Sequence, residues 1–256
     1  MELTEAKRYI AEQWNEWSNT YDEQYAHGLK SSVEAEAWKN VLALAIGNEP
    51  CWILDVGTGT GFLALLLAEL GHHCTGLDIS HNMLEQAKKK GANFGNRLVF
   101  NFGDAEALPL PDNSVDVVVN RHLLWTLPDP RKALAEWLRV LKPGGQIIII
   151  NGVWSSIGLL AKVRRLTGNL LIMLVERRNP WKDGYSNEVK NQLPLYGDVP
   201  PEEILKIMRD VGIGDLHMVP MKLVEQAENA VMPIRYRIAY SHRRYLIVGK
   251  KVKANG

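Results

Sequence analysis

Residues 53–61 read Ile-Leu-Asp-Val-Gly-Thr-Gly-Thr-Gly, so an apolar run leads directly into three alternating glycines. The apolar run has the composition of a buried parallel strand, and a helical pattern begins at Phe62. A glycine loop between a strand and a helix lets the backbone lie close to a ligand and directs helix N–H groups towards it. The stretch therefore predicts a ligand-binding turn in an α/β sheet.

The chain on both sides of this loop alternates strand patterns with helical patterns. Helix start signals stand at Ser80 and Asp129, and stop signals stand at Gly71 and Gly91. Such alternation is typical of βαβ units and a parallel sheet. The first five strands are predicted at 52–56, 73–78, 98–102, 115–120 and 146–151.

The remaining segments complete one predicted domain. Two late strands are expected at 213–220 and 236–249, which makes the sheet doubly wound, seven-stranded and mostly parallel. A less regular stretch is expected at 152–196. We divide the chain into four parts. A helical N-terminal lid spans 1–48 and a ligand-binding core spans 49–151. An insertion after the fifth strand, expected to cover the substrate, spans 152–199, and a C-terminal helix with the last two strands spans 200–256.

The composition of the chain excludes several classes of protein. The 256 residues carry a net charge of +1 and are 46% hydrophobic, so no broad positive field for nucleic acid is expected. Cys51 and Cys74 cannot form a disulfide framework or a metal site alone, and we expect them to be core thiols of a cytoplasmic protein. Residues 1–10 do not resemble a signal peptide, and charges interrupt the apolar segment 157–175, which argues against a spanning helix.

Two acids stand at the ends of the next two strands along the chain. Asp78 is the last residue of the second strand, and Asp104 follows the third. The carboxyl ends of parallel strands meet at one edge of the sheet, where α/β proteins bind ligands. A dinucleotide fingerprint would require glycine in place of Phe62, so pyrophosphate binding is disfavoured. The glycine spacing, together with the runs at 78–84, 108–116 and 141–145, resembles class I S-adenosylmethionine-dependent methyltransferases of the ubiquinone and menaquinone biosynthesis type.

This resemblance covers about residues 53–150 and implies a Rossmann-like methyltransferase fold. It implies S-adenosylmethionine as the cofactor and S-adenosylhomocysteine as the product. The glycine loop would hold the methionine portion, Asp78 the ribose, and Asp104 the adenine amino group. The full set of implied cofactor-binding residues is Tyr21, Asp55, Gly57, Thr58, Gly59, Gly61, Asp78, Ile79, Met83, Asp104, Ala105 and Asn120.

The acceptor of the methyl group is less well defined. A general base is optional, and the candidates for it are His122, Tyr21, Tyr25 and His27. The apolar and aromatic content of 152–196 favours an apolar or aromatic small molecule as the methyl acceptor. We expect the site to use no metal and the protein to bind no nucleic acid. Six basic residues of that segment are compatible with an anionic acceptor or a solvated face. They are Lys162, Arg164, Arg165, Arg177, Arg178 and Lys182.

Two other functions stay open at this point. A non-catalytic S-adenosylmethionine-binding or RNA-associated regulator would bind the cofactor without turnover. The basic C-terminal stretch after Pro233 allows weak contact with RNA or a membrane surface. A nicotinamide-dependent oxidoreductase is opposed by Phe62 and would bind NAD instead. The oligomeric state cannot be inferred from these patterns.

Overall fold

The described part of the chain forms one seven-stranded sheet. The computed structural model describes residues 4–153, 158–177, 185–197, 199–240 and 243–252. The strands lie in the order β3-β2-β1-β4-β5-β7-β6, and only β7 is antiparallel to its neighbours. The predicted doubly wound, mostly parallel sheet is confirmed. The strands are β1 Trp52–Val56, β2 His73–Asp78, β3 Leu98–Phe102, β4 Val115–Arg121, β5 Leu141–Val153, β6 Ile213–Val219 and β7 Arg243–Lys251.

Helices cover both faces of the sheet, and side chains cap several of them as predicted. The Ser80 hydroxyl accepts a hydrogen bond from the Met83 amide, and the Asp129 carboxylate accepts one from the Lys132 amide. The helices of the described residues are α1 Glu5–Trp17, α2 Ser32–Ile46, α3 Phe62–Glu69, α4 His81–Gly91, α5 Pro130–Val140, α6 Leu159–Glu176, α7 Asn187–Lys190, α8 Pro201–Asp210, α9 Lys222–Val231 and α10 Ile234–Ala239.

The sheet has an apolar core on each face because the side chains of a strand alternate. Ile53 points into the core that contains Trp38 of α2, whereas Leu54 points into the core that contains Trp137 of α5. Both tryptophans are fully buried. Helices cover both faces of the sheet, whereas the edge formed by the carboxyl ends of the parallel strands stays open. The candidate site lies at this edge.

Three expectations about secondary structure were wrong in part. The predicted strand at 236–249 is divided: Pro233 starts α10, which packs against α6, and the strand begins only at Arg243. Packing against α6 therefore overrides the local preference of this segment for a strand. The fifth strand, predicted at 146–151, already begins at Leu141, and residues 142–145 form a bulge within it, where Gly144 has φ +79°. The irregular stretch at 152–196 contains the 18-residue helix α6.

The two cysteines differ from each other. Cys74 is buried in β2, as expected. Cys51 lies just before β1 and is only half-buried, with its Sγ 3.3 Å from His72 Nδ1, so the expectation that it is a core thiol was wrong. Within the described ranges, every helix falls short of the length or hydropathy needed to cross a bilayer. The cytoplasmic location stays a prediction.

Candidate functional site

The glycine loop turns sharply at the end of β1. The amides of Gly57 and Thr58 both donate to the Leu77 carbonyl, at 2.8 and 3.0 Å, which holds the loop against β2. Gly57 has φ +68°, and a Cβ there would lie 2.7 Å from the Leu123 side chain. Gly59 has φ +55°, but a Cβ there would meet only open space. The loop therefore packs tightly at its first glycine and opens onto a cleft at its second.

Asp55 supports this loop from inside the protein. Its buried carboxylate accepts hydrogen bonds from the Thr58 hydroxyl at 2.7 Å and the Ala64 amide at 3.2 Å. Burial raises the pKa of Asp55 to about 6. The carboxylate thus ties the loop to the first turn of α3.

Asp78 stands where β2 ends, directly beside the loop. One carboxylate oxygen accepts from the Gly59 amide and the other from the Ser80 amide, each at 2.8 Å. Burial raises the pKa of Asp78, and the backbone hydrogen bonds oppose that rise. Because a carboxylate has about four acceptor sites, each oxygen keeps one lone pair for a ligand hydroxyl.

Helix α1 closes over the end of β3 through a lysine that the sequence patterns did not indicate. Lys7 Nζ lies 2.7 Å from Asp104 and 2.6 Å from Glu106, and all three side chains are buried. Burial lowers the pKa of Lys7, but the hydrogen bonds to both acids outweigh that effect and raise it overall. Asp104 also accepts from the Glu106 amide at 2.9 Å. The α1 helix and the β3 end are therefore joined by a charged cluster.

These elements surround one cleft at the carboxyl edge of the sheet. The cleft measures about 700 Å³ including its open mouth. Within the described ranges, no cluster of three or more acidic, histidine or cysteine side chains is suited to hold a metal ion. The sequence-predicted residues that line the cleft are Tyr21, Gly57, Gly59, Asp78, Ile79, Met83, Asp104, Ala105 and His122.

The other predicted residues lie at the back of the site or outside it. Asp55 and Thr58 line an adjoining cavity of about 290 Å³. Tyr21, Gly57 and Gly59 line both this cavity and the cleft. Gly61 instead caps the start of α3. Asn120 is buried in β4, and its Nδ2 has no hydrogen-bond partner among the described residues.

The aromatic residues of the N-terminal segment lie at different positions relative to the cleft. Tyr21 lines the cleft, with its ring 5.7 Å from that of Trp14 and 4.5 Å from that of His27. His27 lies behind Tyr21, and burial lowers its pKa to about 3. Tyr25 is not among the residues that line the cleft, and its ring lies 5.0 Å from the tilted ring of Tyr236 of α10. Tyr21 is therefore the member of this group that a ligand in the cleft would meet.

His122 lines the cleft but is engaged at both ring nitrogens. Arg244 donates to its Nε2 at 2.9 Å, so the ring proton is assigned to Nδ1, which donates to the Asn151 Oδ1 at 2.9 Å. Burial, followed by the charge of Arg244, lowers the pKa of His122 well below its usual range. The residue also has a left-handed φ of +59°, a strained conformation of the kind found at functional sites.

Arg244 belongs to a buried network that sequence reasoning missed. Its Nε donates to the Glu228 carboxylate at 2.7 Å, and both side chains are almost completely buried. Its remaining nitrogens reach His122 and the Ala26 carbonyl. The network thereby joins β7 and α9 to the N-terminal segment beside the cleft.

Arg121 was also missed, although it directly follows Asn120 in the sequence. It is buried at the end of β4, where its guanidinium lies 3.6 Å from the centre of the Phe62 ring and donates to the carbonyl of His27 at 2.7 Å. No described carboxylate lies within ion-pair distance of it. Burial lowers the pKa of Arg121 to about 10. Arg121 lines both the cleft and the adjoining cavity, so a buried positive charge faces the ligand space.

Comparison with known proteins agrees with this geometry. Residues 54–149 match the methyltransferase domain family. The chain is 34% identical over 141 residues to the demethylmenaquinone methyltransferase of Renibacterium salmoninarum, a match that covers 55% of this chain and 57% of that protein. The chain thus spans little more than half the length of that relative.

Two solved structures share the fold over nearly the whole chain. Phosphoethanolamine N-methyltransferase 2 of Haemonchus contortus, in complex with S-adenosylmethionine, superposes with a TM-score of 0.66 at 17% identity, covering 98% of this chain and 61% of that one. The [4+2]-cyclase SpnF superposes with a TM-score of 0.63 at 17% identity, covering 99% of both chains. A fold of this kind hosts more than one reaction. Residues 54–149 nevertheless match the methyltransferase domain family in sequence, and the chain shares the fold of these two structures.

Proposed function

We propose that this chain binds S-adenosylmethionine in the cleft and transfers its methyl group to a small apolar or aromatic acceptor. The convergence of the glycine loop, Asp78 and Asp104 on one cleft carries the proposal. These three features come from the ends of β1, β2 and β3, and Gly57, Gly59, Asp78 and Asp104 all line the cleft. The family match over 54–149 supports the same cofactor.

The residues of the cleft fit the parts of this cofactor. Asp78 offers one free lone pair on each oxygen to the two ribose hydroxyls. The open space above Gly59 lets the ligand lie against bare backbone. Ile79 and Met83 supply apolar surface for the adenine faces, and Asp104 with the neighbouring backbone lies at the adenine edge.

We assign the carboxylate of the methionine portion to Arg121. A buried guanidinium without an acidic partner is costly, and a ligand carboxylate would compensate its charge. Arg121 faces both the cleft and the cavity behind the glycine loop. A cofactor with its ribose at Asp78 would extend its methionine portion along this direction, past Arg121. Asn120, with its unpaired buried amide beside this path, is a second candidate donor.

The bound cofactor would supply a methyl group already activated on a cationic sulfur, so the protein's own task is to position the acceptor and exclude water. Of the candidate bases, Tyr25 is not among the residues that line the cleft and His122 is held between Arg244 and Asn151. The Nδ1 of His27 has no partner among the described residues, and it lies behind Tyr21. Burial raises the pKa of Tyr21 and lowers that of His27 to about 3, so neither is suited to act as a base near neutral pH. We therefore propose that the transfer depends on positioning rather than on a general base.

Aromatic rings near the cleft support an aromatic acceptor. Trp14 lines the cleft, and its ring lies 6.3 Å from that of Trp125. The Trp125 ring lies within 6.0 Å of the rings of Tyr185 and Tyr196. Planar acceptors stack well on such rings. Since the Renibacterium relative is a demethylmenaquinone methyltransferase, an aromatic quinol is the first acceptor to test.

Calorimetry tests the cofactor and distinguishes the rival functions. S-adenosylmethionine and S-adenosylhomocysteine should bind, whereas NAD should not. An acceptor screen that includes short-chain naphthoquinols should then show S-adenosylhomocysteine formation. Binding without turnover on any acceptor would favour a regulator, and binding of NAD alone would contradict the proposal.

A further inference from the structure

Helix α6 turns an apolar surface towards the solvent. Eight of its large apolar side chains are between 38% and 80% exposed, and six of these lie on one side of the helix. They recur every three or four residues, so with 3.6 residues per turn they form one continuous stripe along the helix. We call this surface the α6 outer stripe, and it consists of Leu159, Val163, Leu166, Leu170, Met173 and Leu174.

The opposite side of α6 is attached to the protein, so the orientation of the helix is well defined. Gly168 lies against α10 so closely that a Cβ would be 2.6 Å from the Ala239 Cβ. Ile172 on the same side is completely buried. At the helix end, Glu176 accepts from Arg235 at 2.8 Å and from the Tyr236 hydroxyl at 2.7 Å. A helix normally buries its apolar side, and here the packing contacts use the other side.

The charges around the stripe all have one sign. Lys162, Arg164 and Arg165 are exposed, and residues 158–175 contain no acid. By the helical repeat, Lys162 and Arg164 fall on either side of the outer stripe. Of the other basic residues noted in this part of the sequence, Arg178 and Lys182 lie outside the described residues. An apolar stripe bordered by cations is complementary to a surface that is apolar inside and anionic at its edge.

A bilayer of anionic lipids is such a surface, and we propose that the α6 outer stripe docks onto it in the plane of the headgroups. The three cations make spanning costly, in line with the absence of a spanning helix among the described residues. A second copy of the chain would bring the same cations to the interface and no acid from this stripe, so self-association is less complementary. The proposal is independent of the methyl-transfer function.

Vesicle flotation with the full chain tests the proposal. Vesicles of phosphatidylcholine alone are compared with vesicles in which about a third of the lipid is phosphatidylglycerol. We expect the chain to float with the anionic vesicles, and added salt should weaken the binding. Replacing Lys162 and Arg164 by glutamine should lower the affinity roughly fivefold for each cation removed.

The apolar part of the surface is tested by the double variant Leu166→Glu/Leu170→Glu, which should lose at least about tenfold in vesicle affinity. Leu223→Glu is the matched control, because Leu223 is 60% exposed on α9, outside the stripe. Circular dichroism checks that both variants are folded. The proposal is overturned if the unmodified chain ignores anionic vesicles or if the double variant binds them equally well. It is also overturned if sedimentation shows a dimer that the double variant dissociates.

Discussion

The substitution Asp78→Asn tests the central contact of the proposed site. In the structure each oxygen of Asp78 accepts one backbone amide and keeps one lone pair for the ligand. Asparagine keeps one of the two oxygens and turns an NH₂ group towards the amide of Gly59 or Ser80. The variant therefore loses one charge-assisted hydrogen bond to the ribose, which costs about 2 kcal/mol, or roughly a 30-fold weaker Kd for S-adenosylhomocysteine.

Isothermal titration calorimetry with S-adenosylhomocysteine measures this loss, and circular dichroism confirms the folded state. Asp112→Asn is the control, since the Asp112 side chain is 68% exposed and should not affect binding. Adenosine and 2′,3′-dideoxyadenosine complete a double-mutant cycle, because only adenosine carries the two hydroxyls. A change of less than about threefold in a folded variant, or an equal loss for both nucleosides, would refute the assignment.

Three further predictions concern the surroundings of Asp78. Arg121→Met should weaken S-adenosylhomocysteine at least about tenfold but leave 5′-methylthioadenosine unchanged, because only the former has a carboxylate; equal losses in calorimetry would argue against this role. Lys7→Met leaves two buried acids without their cation and should lower the free energy of unfolding in urea by about 3 kcal/mol, whereas the exposed Lys88→Met should cost under about 1 kcal/mol. The pKa of His27 is lowered to about 3, so the unfolded chain binds more protons below its ordinary pKa of about 6.5. Stability should therefore fall as the pH decreases from about 6.5 towards 3, and His27→Gln should flatten that dependence, while the surface variant His217→Gln should leave it unchanged.

The central half of the fold could be predicted because its signals are local. Period-two and period-3.6 patterns, the N-caps Ser80 and Asp129, and the glycines after β1 each act within a few residues of where they stand. The parallel topology then brings the ends of β1, β2 and β3 to one edge, so Asp78 and Asp104 could be predicted to share a site. Their roles towards the cofactor stay predictions until binding is measured.

The division of the segment 236–249 shows where local patterns are insufficient. Its residues alternate as in a strand, but Pro233 and the contact between Gly168 and Ala239 make its first part a helix. The exposure of the α6 outer stripe is a similar case. The apolar content of 157–175 is visible in the sequence, but which side of the helix packs against α10 is not.

Local chemistry thus specified the strands, the helix ends and the glycine loop, since each depends on backbone preferences of neighbouring residues. The closure of the site came from partners distant in the chain: Lys7 with Asp104, and Arg244 with His122. Nothing near Lys7 or Arg244 in the sequence indicates these pairings. A buried charge needs a hydrogen-bonding partner nearby in space, and only the assembled fold brings the two together.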